Sequence, residues 1–291
     1  MSGSTLPARA LGRLLAGHRE RAGMTKYAAG QLVDTSQQTV ARIEYGQKSK
    51  VSLLWVNVWS DAYKVSDDDR KLMLGLAREL ATSQKNWWRA YADEMKPHFD
   101  YYLGLEDSAR ALSVWRTNLL PGLLQTPEYR RAIAWTESPE MPTDQVEKRV
   151  EMAVRRQTRL DDPDFAVDVI VSKTVLLEQI GGAAVMVEQL KRLADISQQP
   201  NVSIRVVPFD ARRHLGSRVG SFAMLEFPKL PATQQTEPPV IYIESYTGDL
   251  YLEQDEDVMQ YRDAFAEIGR VALDRDTTRQ LLLSIAKEYE A

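Results

Sequence analysis

Apolar residues recur every three to four positions at the start of the chain, which predicts an amphipathic helix from about Ala8 to Ala22. The residues of this stripe are Leu11, Leu14, Leu15 and Ala22. Gly23 is well placed to end the helix. Thr25 and Ser36 are favourable N-caps, and each predicts a further helix of about eight residues. A turn of three or four residues between them is typical of a helix-turn-helix motif.

The predicted turn has steric requirements that three residues can meet. Gly30 is small enough to let the first short helix pack closely on the second, at a cost of about 1 kcal/mol relative to Ala in that helix. Asp34 tolerates the left-handed backbone conformation that the turn needs. Val40 supplies an apolar, β-branched anchor for the second helix. Two later stretches, 52–63 and 67–80, also have helical apolar spacing, so residues 1–80 are predicted to form an all-α, five-helix head.

Three runs of the head carry a recognisable pattern: Met24-Thr25, Thr35-Ser36-Gln37-Gln38-Thr39-Val40 and Arg42-Ile43-Glu44-Tyr45-Gly46. In these residues the head shows a resemblance to the XRE/Cro type of helix-turn-helix repressor domain. The resemblance implies that the second short helix enters the major groove of double-stranded operator DNA and presents side chains to the base edges. Base contacts are expected from Gln37, Gln38, Ala41 and Arg42, and phosphate contacts from Lys26, Ser36, Thr39, Gln47, Lys48 and Lys50.

Several residues in and near the predicted recognition helix are also consistent with structural roles. Arg42 could instead form an ion pair with Glu44 or with a neighbouring helix. Ile43 is expected in the core, and Glu44 is expected to brace the fold. His18 lies on the apolar side of the first helix, where a packed and hydrogen-bonded histidine is expected.

The remainder of the chain predicts a larger α+β domain over residues 87–291, joined to the head by the polar residues 81–86. Short β-branched or alternating runs predict a mixed or antiparallel sheet. These runs are 165–171, 202–207, 221–227, 240–245 and 250–253, and residues 105–109 are a further strand-like stretch. Helices are expected at 144–160, 183–197, 256–272 and 277–289, and from Thr126-Pro127 onward. Arg155, Arg156 and Arg159 are expected on a solvent-exposed helix face, and Trp87, Tyr91 and Met95 on a buried stripe.

Composition alone would not suggest a nucleic-acid-binding protein, because the 291 residues carry a formal charge of −4. The charge is unevenly distributed, however. Residues 1–50 carry +5 and residues 1–80 carry +4, whereas residues 81–291 carry −8. A basic head on an acidic body indicates two domains with different partners.

The acidic body contains a series of short motifs, which include Trp87-Trp88, Pro121-Gly122-Leu123-Leu124-Gln125-Thr126, Glu188-Gln189-Leu190, Val207-Pro208-Phe209, Gly220-Ser221-Phe222 and Gly248-Asp249-Leu250-Tyr251-Leu252-Glu253. As an ordered set they resemble the C-terminal domain of unknown function that follows helix-turn-helix heads in actinobacterial regulators of the WhiJ-like, antitoxin-like group. The resemblance implies transcriptional control, with the body binding a small protein encoded by a neighbouring gene. A homodimer is expected because one short recognition helix gives limited specificity, whereas two-fold pairing matches half-sites about 34 Å apart. A body that senses a small molecule is the alternative.

Signs of catalysis are few. The chain has no cysteine and only three histidines, and it contains none of the common nucleotide-binding, zinc-protease or serine-hydrolase motifs. Asp168, Glu226 and Lys229 faintly resemble the acidic-plus-lysine arrangement of metal-dependent nucleases, which leaves a nuclease as a distant alternative. We therefore expect no enzyme, no cofactor and no metal. With no apolar export signal at its start and no membrane segment, a cytoplasmic, nucleoid-associated protein is expected.

Overall fold

The structure is a computed structural model that describes residues 6–47, 51–82, 87–95, 99–212, 214–230 and 233–290. The chain packs as two compact units. The first comprises Met1–Ser108 together with Phe227–Glu237, and the second comprises Ala109–Glu226 together with Pro238–Ala291. The functional boundary near residue 80 stays a prediction.

The first unit is helical, as the apolar spacing predicts. Its first five helices are α1 (Leu6–Arg21), α2 (Lys26–Gln31), α3 (Gln37–Glu44), α4 (Leu53–Ala62) and α5 (Asp67–Thr82). Helix α1 ends where Gly23 adopts a φ of 67°, a left-handed conformation that a glycine adopts without steric cost. The predicted five-helix head is therefore confirmed.

The core of these five helices is built from α1, α3, α4 and α5, whose apolar faces meet. The buried side chains that fill it include Leu11, Leu15, Val40, Ile43, Val56, Trp59, Met73 and Leu76. The Trp59 indole donates a hydrogen bond of 2.9 Å to the Ala29 carbonyl oxygen, which ties α4 to α2. Burial of this size is the main contribution to the stability of the head.

Two expectations for residues 87–109 are wrong. The stretch 105–109 was expected to be strand-like, but it belongs largely to helix α6 (Phe99–Ser108). Leu103, Leu105 and Glu106 are all buried there, so the apparent alternation reflects a helix buried on more than one side. Residues Trp87–Glu94 form 3-10 turns that are interrupted by a kink at Tyr91, where φ is −115° and ψ is 20°. Trp88 and Tyr91 are buried, whereas Trp87 and Met95 are half-buried, so a stripe with a period of four does not form.

The second unit contains a six-stranded mixed sheet, which confirms the α+β fold. Its strands are β1 (Ala111–Arg116), β2 (Ala166–Ser172), β3 (Val202–Val207), β4 (Phe222–Glu226), β5 (Val240–Glu244) and β6 (Asp249–Leu252). The order is β3-β2-β1-β4-β5-β6, with β1 parallel to β2, β2 parallel to β3, and the remaining pairs antiparallel. Strand β1, which the sequence interpretation missed, lies at the centre, where Val114 pairs with Val169 and with Ala223.

The described residues of the second unit also form the helices α7 (Pro127–Glu137), α8 (Thr143–Gln157), α9 (Thr174–Leu177), α10 (Ala183–Ile196), α11 (Gly216–Val219), α12 (Asp255–Val271) and α13 (Arg275–Glu290). Helices α9, α12 and α13 contact strands of the sheet, and α7 packs on α8 and α10. One face of the sheet forms a core with α12 through Trp115, Phe222 and Phe265. Because side chains alternate along a strand, Val114 and Arg116 point to the opposite face.

The expectation of three exposed arginines on α8 and after it is wrong for two of them. Arg155 is exposed, but Arg156 is buried. Arg159 is half-buried: it donates to Asp162 and to the Ala109 carbonyl oxygen, and its guanidinium lies 4.5 Å from the centroid of the Phe165 ring. Helical spacing alone could not separate these positions, because packing on both sides of α8 decides which of them are covered.

Candidate nucleic-acid interface

Both predicted caps of the helix-turn-helix are present. The Thr25 hydroxyl accepts a hydrogen bond of 3.1 Å from the Ala28 amide, and the Ser36 hydroxyl accepts one of 3.1 Å from the Thr39 amide. Each hydroxyl satisfies an amide that the first helical turn leaves without a partner. These caps fix where α2 and α3 begin.

The turn between α2 and α3 has the predicted geometry. Asp34 adopts a φ of 52°, in the left-handed region. A Cβ atom at Gly30 would lie 2.5 Å from the Thr35 carbonyl oxygen, so only glycine allows this backbone approach. The Thr35 amide donates 2.9 Å to the Gly30 carbonyl oxygen, which closes the turn.

Helix α3 has one buried and one exposed face. Val40 and Ile43 are each 2% exposed and anchor the helix in the core. The exposed face carries three of the predicted base-contacting residues, Gln37, Gln38 and Arg42. The fourth, Ala41, is half-buried beside them. The amides and the guanidinium form the donor and acceptor set that reads adenine and guanine edges in the major groove.

Glu44 does not pair with Arg42. Its carboxylate accepts hydrogen bonds of 2.5 and 3.0 Å from the Arg19 guanidinium, and the Lys26 ammonium lies 3.7 Å away. Glu44 and Arg19 are both nearly buried, which confirms that Glu44 braces the fold. The Arg42 side chain makes no hydrogen bond or ion pair with any residue that the structure describes. The alternative prediction of an ion pair between Arg42 and Glu44 is therefore wrong.

The predicted phosphate-contacting residues divide into three groups. Gln47 is exposed just after α3, whereas Lys48 and Lys50 lie outside the described residues. The Ser36 and Thr39 hydroxyls lie 3.1 Å apart at the N-terminus of α3. The Lys26 ammonium is near Glu44 and lies 5.1 Å from the centroid of the Tyr45 ring, so part of its charge is already balanced.

Two tyrosines beside the motif were not predicted as contacts. Tyr27 on α2 and Tyr45 directly after α3 are each 63% exposed, and both carry a hydroxyl that can donate to a phosphate oxygen. Their exposure in an otherwise well-packed head is the only signal for them, and it cannot be seen in the sequence. Residue type and spacing alone are equally consistent with buried tyrosines.

His18 is packed and hydrogen-bonded, as predicted. Its Nδ1 atom lies 3.0 Å from an Arg21 nitrogen, and its Nε2 atom lies 3.6 Å from the Asp69 carboxylate. Because a guanidinium only donates, Nδ1 accepts and Nε2 carries the proton. Burial lowers the pKa of His18, the nearby Arg21 lowers it further, and Asp69 opposes both effects.

The acidic residues considered for nuclease chemistry are engaged in ion pairs. The Asp168 carboxylate accepts a hydrogen bond of 2.9 Å from Arg205. The Glu226 carboxylate accepts one of 2.8 Å from Arg262 and has Arg110 at 3.9 Å. Lys229 belongs to the other compact unit, where it forms an isolated bridge with Thr236. Over the described ranges, no group of three or more histidine, aspartate or glutamate side chains is arranged to hold a metal ion.

A capped, tightly turned helix pair with an exposed polar recognition face defines a helix-turn-helix DNA-binding protein. A model of the helix-turn-helix domain matches residues 10–73, and a model of the domain of unknown function DUF5753 matches residues 99–284. The second match covers more than half of the chain, which therefore belongs to the DUF5753 family. Comparisons with curated proteins and with solved structures gave no match. None of the helices in the described residues is long and apolar enough to cross a membrane.

Proposed function

We propose that this protein is a sequence-specific transcriptional regulator of the XRE type, which binds operator DNA through α3. The observation that carries the proposal is the exposed row of Gln37, Gln38 and Arg42. Glu44 is bound by Arg19, and the Arg42 side chain has no ion pair within the described ranges. A guanidinium on a short, capped helix can make two hydrogen bonds to guanine, and a glutamine amide can make two to adenine.

The regulator is proposed to act as a homodimer. A single α3 contacts only a few base pairs, whereas two copies related by a two-fold axis would contact two half-sites about 34 Å apart. The operator of such a dimer is a palindrome. Bound at a promoter, the dimer would act by blocking or recruiting the polymerase.

Selection of DNA sites from a random pool by the full chain tests both proposals. The expected product is a palindromic motif with half-site centres about 10 base pairs, or a multiple of one helical turn, apart. A pool that shows no enriched motif after repeated rounds would contradict sequence-specific binding. An enriched motif without two-fold symmetry would contradict the dimer alone.

For the body, we propose the role of signal receiver. The resemblance to the antitoxin-like, WhiJ-like actinobacterial group supports a small protein partner encoded by a neighbouring gene. Co-expression of that small reading frame with the full chain, followed by size-exclusion chromatography, tests this partner. A stable complex of fixed stoichiometry is expected, and separate elution of the two chains at micromolar concentration would contradict it.

A small-molecule signal is the second candidate, and one observation favours it. The second unit brings four arginines together (Arg116, Arg130, Arg149 and Arg156), and the buried Nε atoms of Arg116 and Arg149 have no hydrogen-bond partner among the described residues. We propose no catalytic function, since Asp168 and Glu226 are held in ion pairs. Metal-dependent DNA cleavage that Asp168→Asn abolishes would contradict this proposal.

A further inference from the structure

Four arginines of the second unit converge at the end of β1 and along the facing helices. Arg130 and Glu137 lie seven residues apart on α7, and Arg149 and Arg156 lie seven apart on α8, so each pair shares a helix face. An ion pair of 3.8 Å between Arg149 and Glu137 joins the two faces.

Arg116 at the end of β1 completes the group through its 3.8 Å ion pair with Glu244 on β5. The Glu244 carboxylate is also close enough to Arg130 to interact with it electrostatically, as are Glu137, Arg149 and Arg156. We call the four arginines and two glutamates the arginine cluster. It contains four positive and two negative charges, a net of +2.

Part of the hydrogen-bonding capacity of Arg116, Arg130 and Arg149 is unused within the described residues. At 3.8 Å, the ion pairs of Arg116 and Arg149 are longer than hydrogen bonds, and the buried Nε atoms of both side chains have no partner in the described structure. The Arg130 side chain is partly buried and makes no hydrogen bond or close ion pair with any described residue, although Glu137 and Glu244 attract it electrostatically. A guanidinium has five N–H donors, so several donors remain for a ligand.

This arrangement carries an electrostatic cost in the absence of an anion. Burial lowers the pKa of Arg130, and Arg156 and Arg149 lower it further, whereas Glu137 and Glu244 act in the opposite direction. Guanidinium groups held next to each other repel one another, and buried donors without acceptors are unfavourable. A feature that costs stability in this way is expected at a functional site.

The backbone around the cluster holds Arg156 in place. A Cβ atom at Gly122 would lie 2.9 Å from Arg156 Nη1, so the guanidinium lies directly against the glycine backbone. Gln189 fixes the segment that follows, because its side chain accepts from the Thr126 amide and donates to the Leu124 carbonyl oxygen, both at 2.7 Å. The Gln157 amide donates 2.6 Å to the Gln125 carbonyl oxygen, which ties the end of α8 to the same segment.

We propose that the arginine cluster is a binding site for a small-molecule ligand that carries a dianionic phosphate group. A phosphate offers acceptors to several guanidinium forks at once, and its two charges match the net charge of the cluster. The site lies within the second unit and stands whether or not the head binds DNA. In a regulator, its ligand would be the signal that the body receives.

Thermal unfolding of the full chain tests the site, with inorganic phosphate as the probe and chloride at equal ionic strength as the reference. At about ten times the dissociation constant, phosphate should raise the Tm by about 3–6 °C. Arg130→Gln should abolish the difference between phosphate and chloride. The matched control is Arg192→Gln, since Arg192 is exposed on α10, and this variant should keep the full shift.

The Tm of each protein in chloride is a second readout, and it separates ligand binding by Arg130 from a purely structural role of that residue. Because burial, Arg156 and Arg149 together outweigh Glu137 and Glu244 and disfavour the charged form of Arg130, Arg130→Gln in chloride should unfold at the same temperature as the unchanged protein or higher. An equal phosphate shift in Arg130→Gln and the unchanged protein, or a lower Tm of Arg130→Gln in chloride, would overturn the proposal. An equal Tm shift in the two proteins is also the result expected if phosphate stabilises the chain as a general salt without binding to the arginine cluster.

Gly122→Ala probes the same site without changing its charge. The added methyl group should push the Arg156 guanidinium aside and reduce the phosphate shift to a value between those of the unchanged protein and Arg130→Gln. A full phosphate shift in Gly122→Ala would contradict the proposed role of Arg156 in the site.

Glycerol 3-phosphate, tested in parallel, distinguishes an organic phosphate ligand from inorganic phosphate. A Tm shift larger than that of inorganic phosphate indicates an organic phosphate ligand, and an equal shift indicates phosphate itself.

Discussion

Arg42 is available for DNA because Arg19 and Lys26 occupy the carboxylate of Glu44. The sequence alone was consistent both with DNA contact by Arg42 and with an ion pair between Arg42 and Glu44, since only one residue separates the two. On a helix, however, residues two apart do not face each other, and Glu44 points toward α1 instead. The role of Glu44 was predictable from the helix-turn-helix pattern, whereas its partner Arg19 was not.

His18 gives the head a pH dependence that can be predicted in sign. Its folded-state pKa is below the ordinary value of 6.5, so the folded head binds the proton less well than the unfolded chain. The stability that comes from neutral His18 is complete above pH 6.5 and is lost as the pH falls through the folded-state pKa. Burial disfavours the charged imidazolium and is the main cause of the lowered pKa, and protonation would also place an N–H group against Arg21.

His18→Gln should therefore make the Tm of the head less sensitive to acid. The measurement is thermal unfolding of the full chain between pH 5 and pH 8 for both proteins. The unchanged protein should lose more stability below pH 6.5 than the variant. Parallel curves over the whole range would show that His18 does not titrate differently on folding.

At the level of elements, long amphipathic helices and β-branched strands were predicted closely, and irregular or short elements were not. Strand β3 has the predicted bounds, and α10 ends one residue earlier than expected. Strand β1 was missed because its polar residues, Ser113 and Arg116, interrupt the apolar run. Its central position depends on pairing with β2 and β4, which are distant in sequence.

Gly30 shows how packing can reverse a helix propensity. From propensity alone, Ala at this position would stabilise α2 by about 1 kcal/mol. The Cβ atom would lie 2.5 Å from the Thr35 carbonyl oxygen, which is backbone and cannot move aside cheaply. We expect overpacking of about 1–3 kcal/mol to exceed the propensity gain, so that Gly30→Ala lowers the stability of the head.

Gly17→Ala is the matched control, because Gly17 lies inside α1 and its Cβ would meet no atom within 4 Å. This variant should raise the stability by about 1 kcal/mol. Urea unfolding of both variants measures the two effects. Equal stabilisation by the two substitutions would show that α2 and α3 do not approach each other as closely as described.

Gln189 connects α10 to the segment before α7. Gln189→Met keeps the size of the side chain but leaves the Thr126 amide and the Leu124 carbonyl oxygen buried without partners. Each unsatisfied group should cost about 1–3 kcal/mol in the free energy of unfolding. Glu188→Met, at the exposed neighbouring position, should change it by less than about 0.5 kcal/mol. Similar small effects of both substitutions would contradict the role of Gln189.

At the scale of the whole molecule, the net charge of −4 combines a basic head with an acidic body. The head is the part that resembles DNA-binding domains, and the charge of the body should disfavour contact with phosphates. The arginine cluster is a local exception within the acidic body. Sequence patterns could not find it, because its members lie far apart along the chain and one of them, Arg156, was expected to be exposed.

One segment of the first unit lies, in sequence, between two strands of the second unit. The segment Phe227–Glu237, between β4 and β5, belongs to the first unit. There Glu237 is buried and accepts a hydrogen bond from Arg13, and the Arg9 guanidinium lies 5.3 Å from the centroid of the Phe227 ring. The chain therefore leaves the second unit after β4, enters the first unit and returns to the second unit before β5.

The central claim is that α3 recognises a specific DNA sequence through Arg42. The most direct test is the affinity of Arg42→Ala for the selected operator and for random DNA, measured by fluorescence anisotropy at one salt concentration. Lys71→Ala, which removes an exposed charge from α5, is the control. Arg42→Ala should weaken operator binding by about 1–3 kcal/mol, relax the preference at one base position and leave random-DNA binding nearly unchanged. An equal loss on both DNAs, or no loss on the operator, would contradict the account.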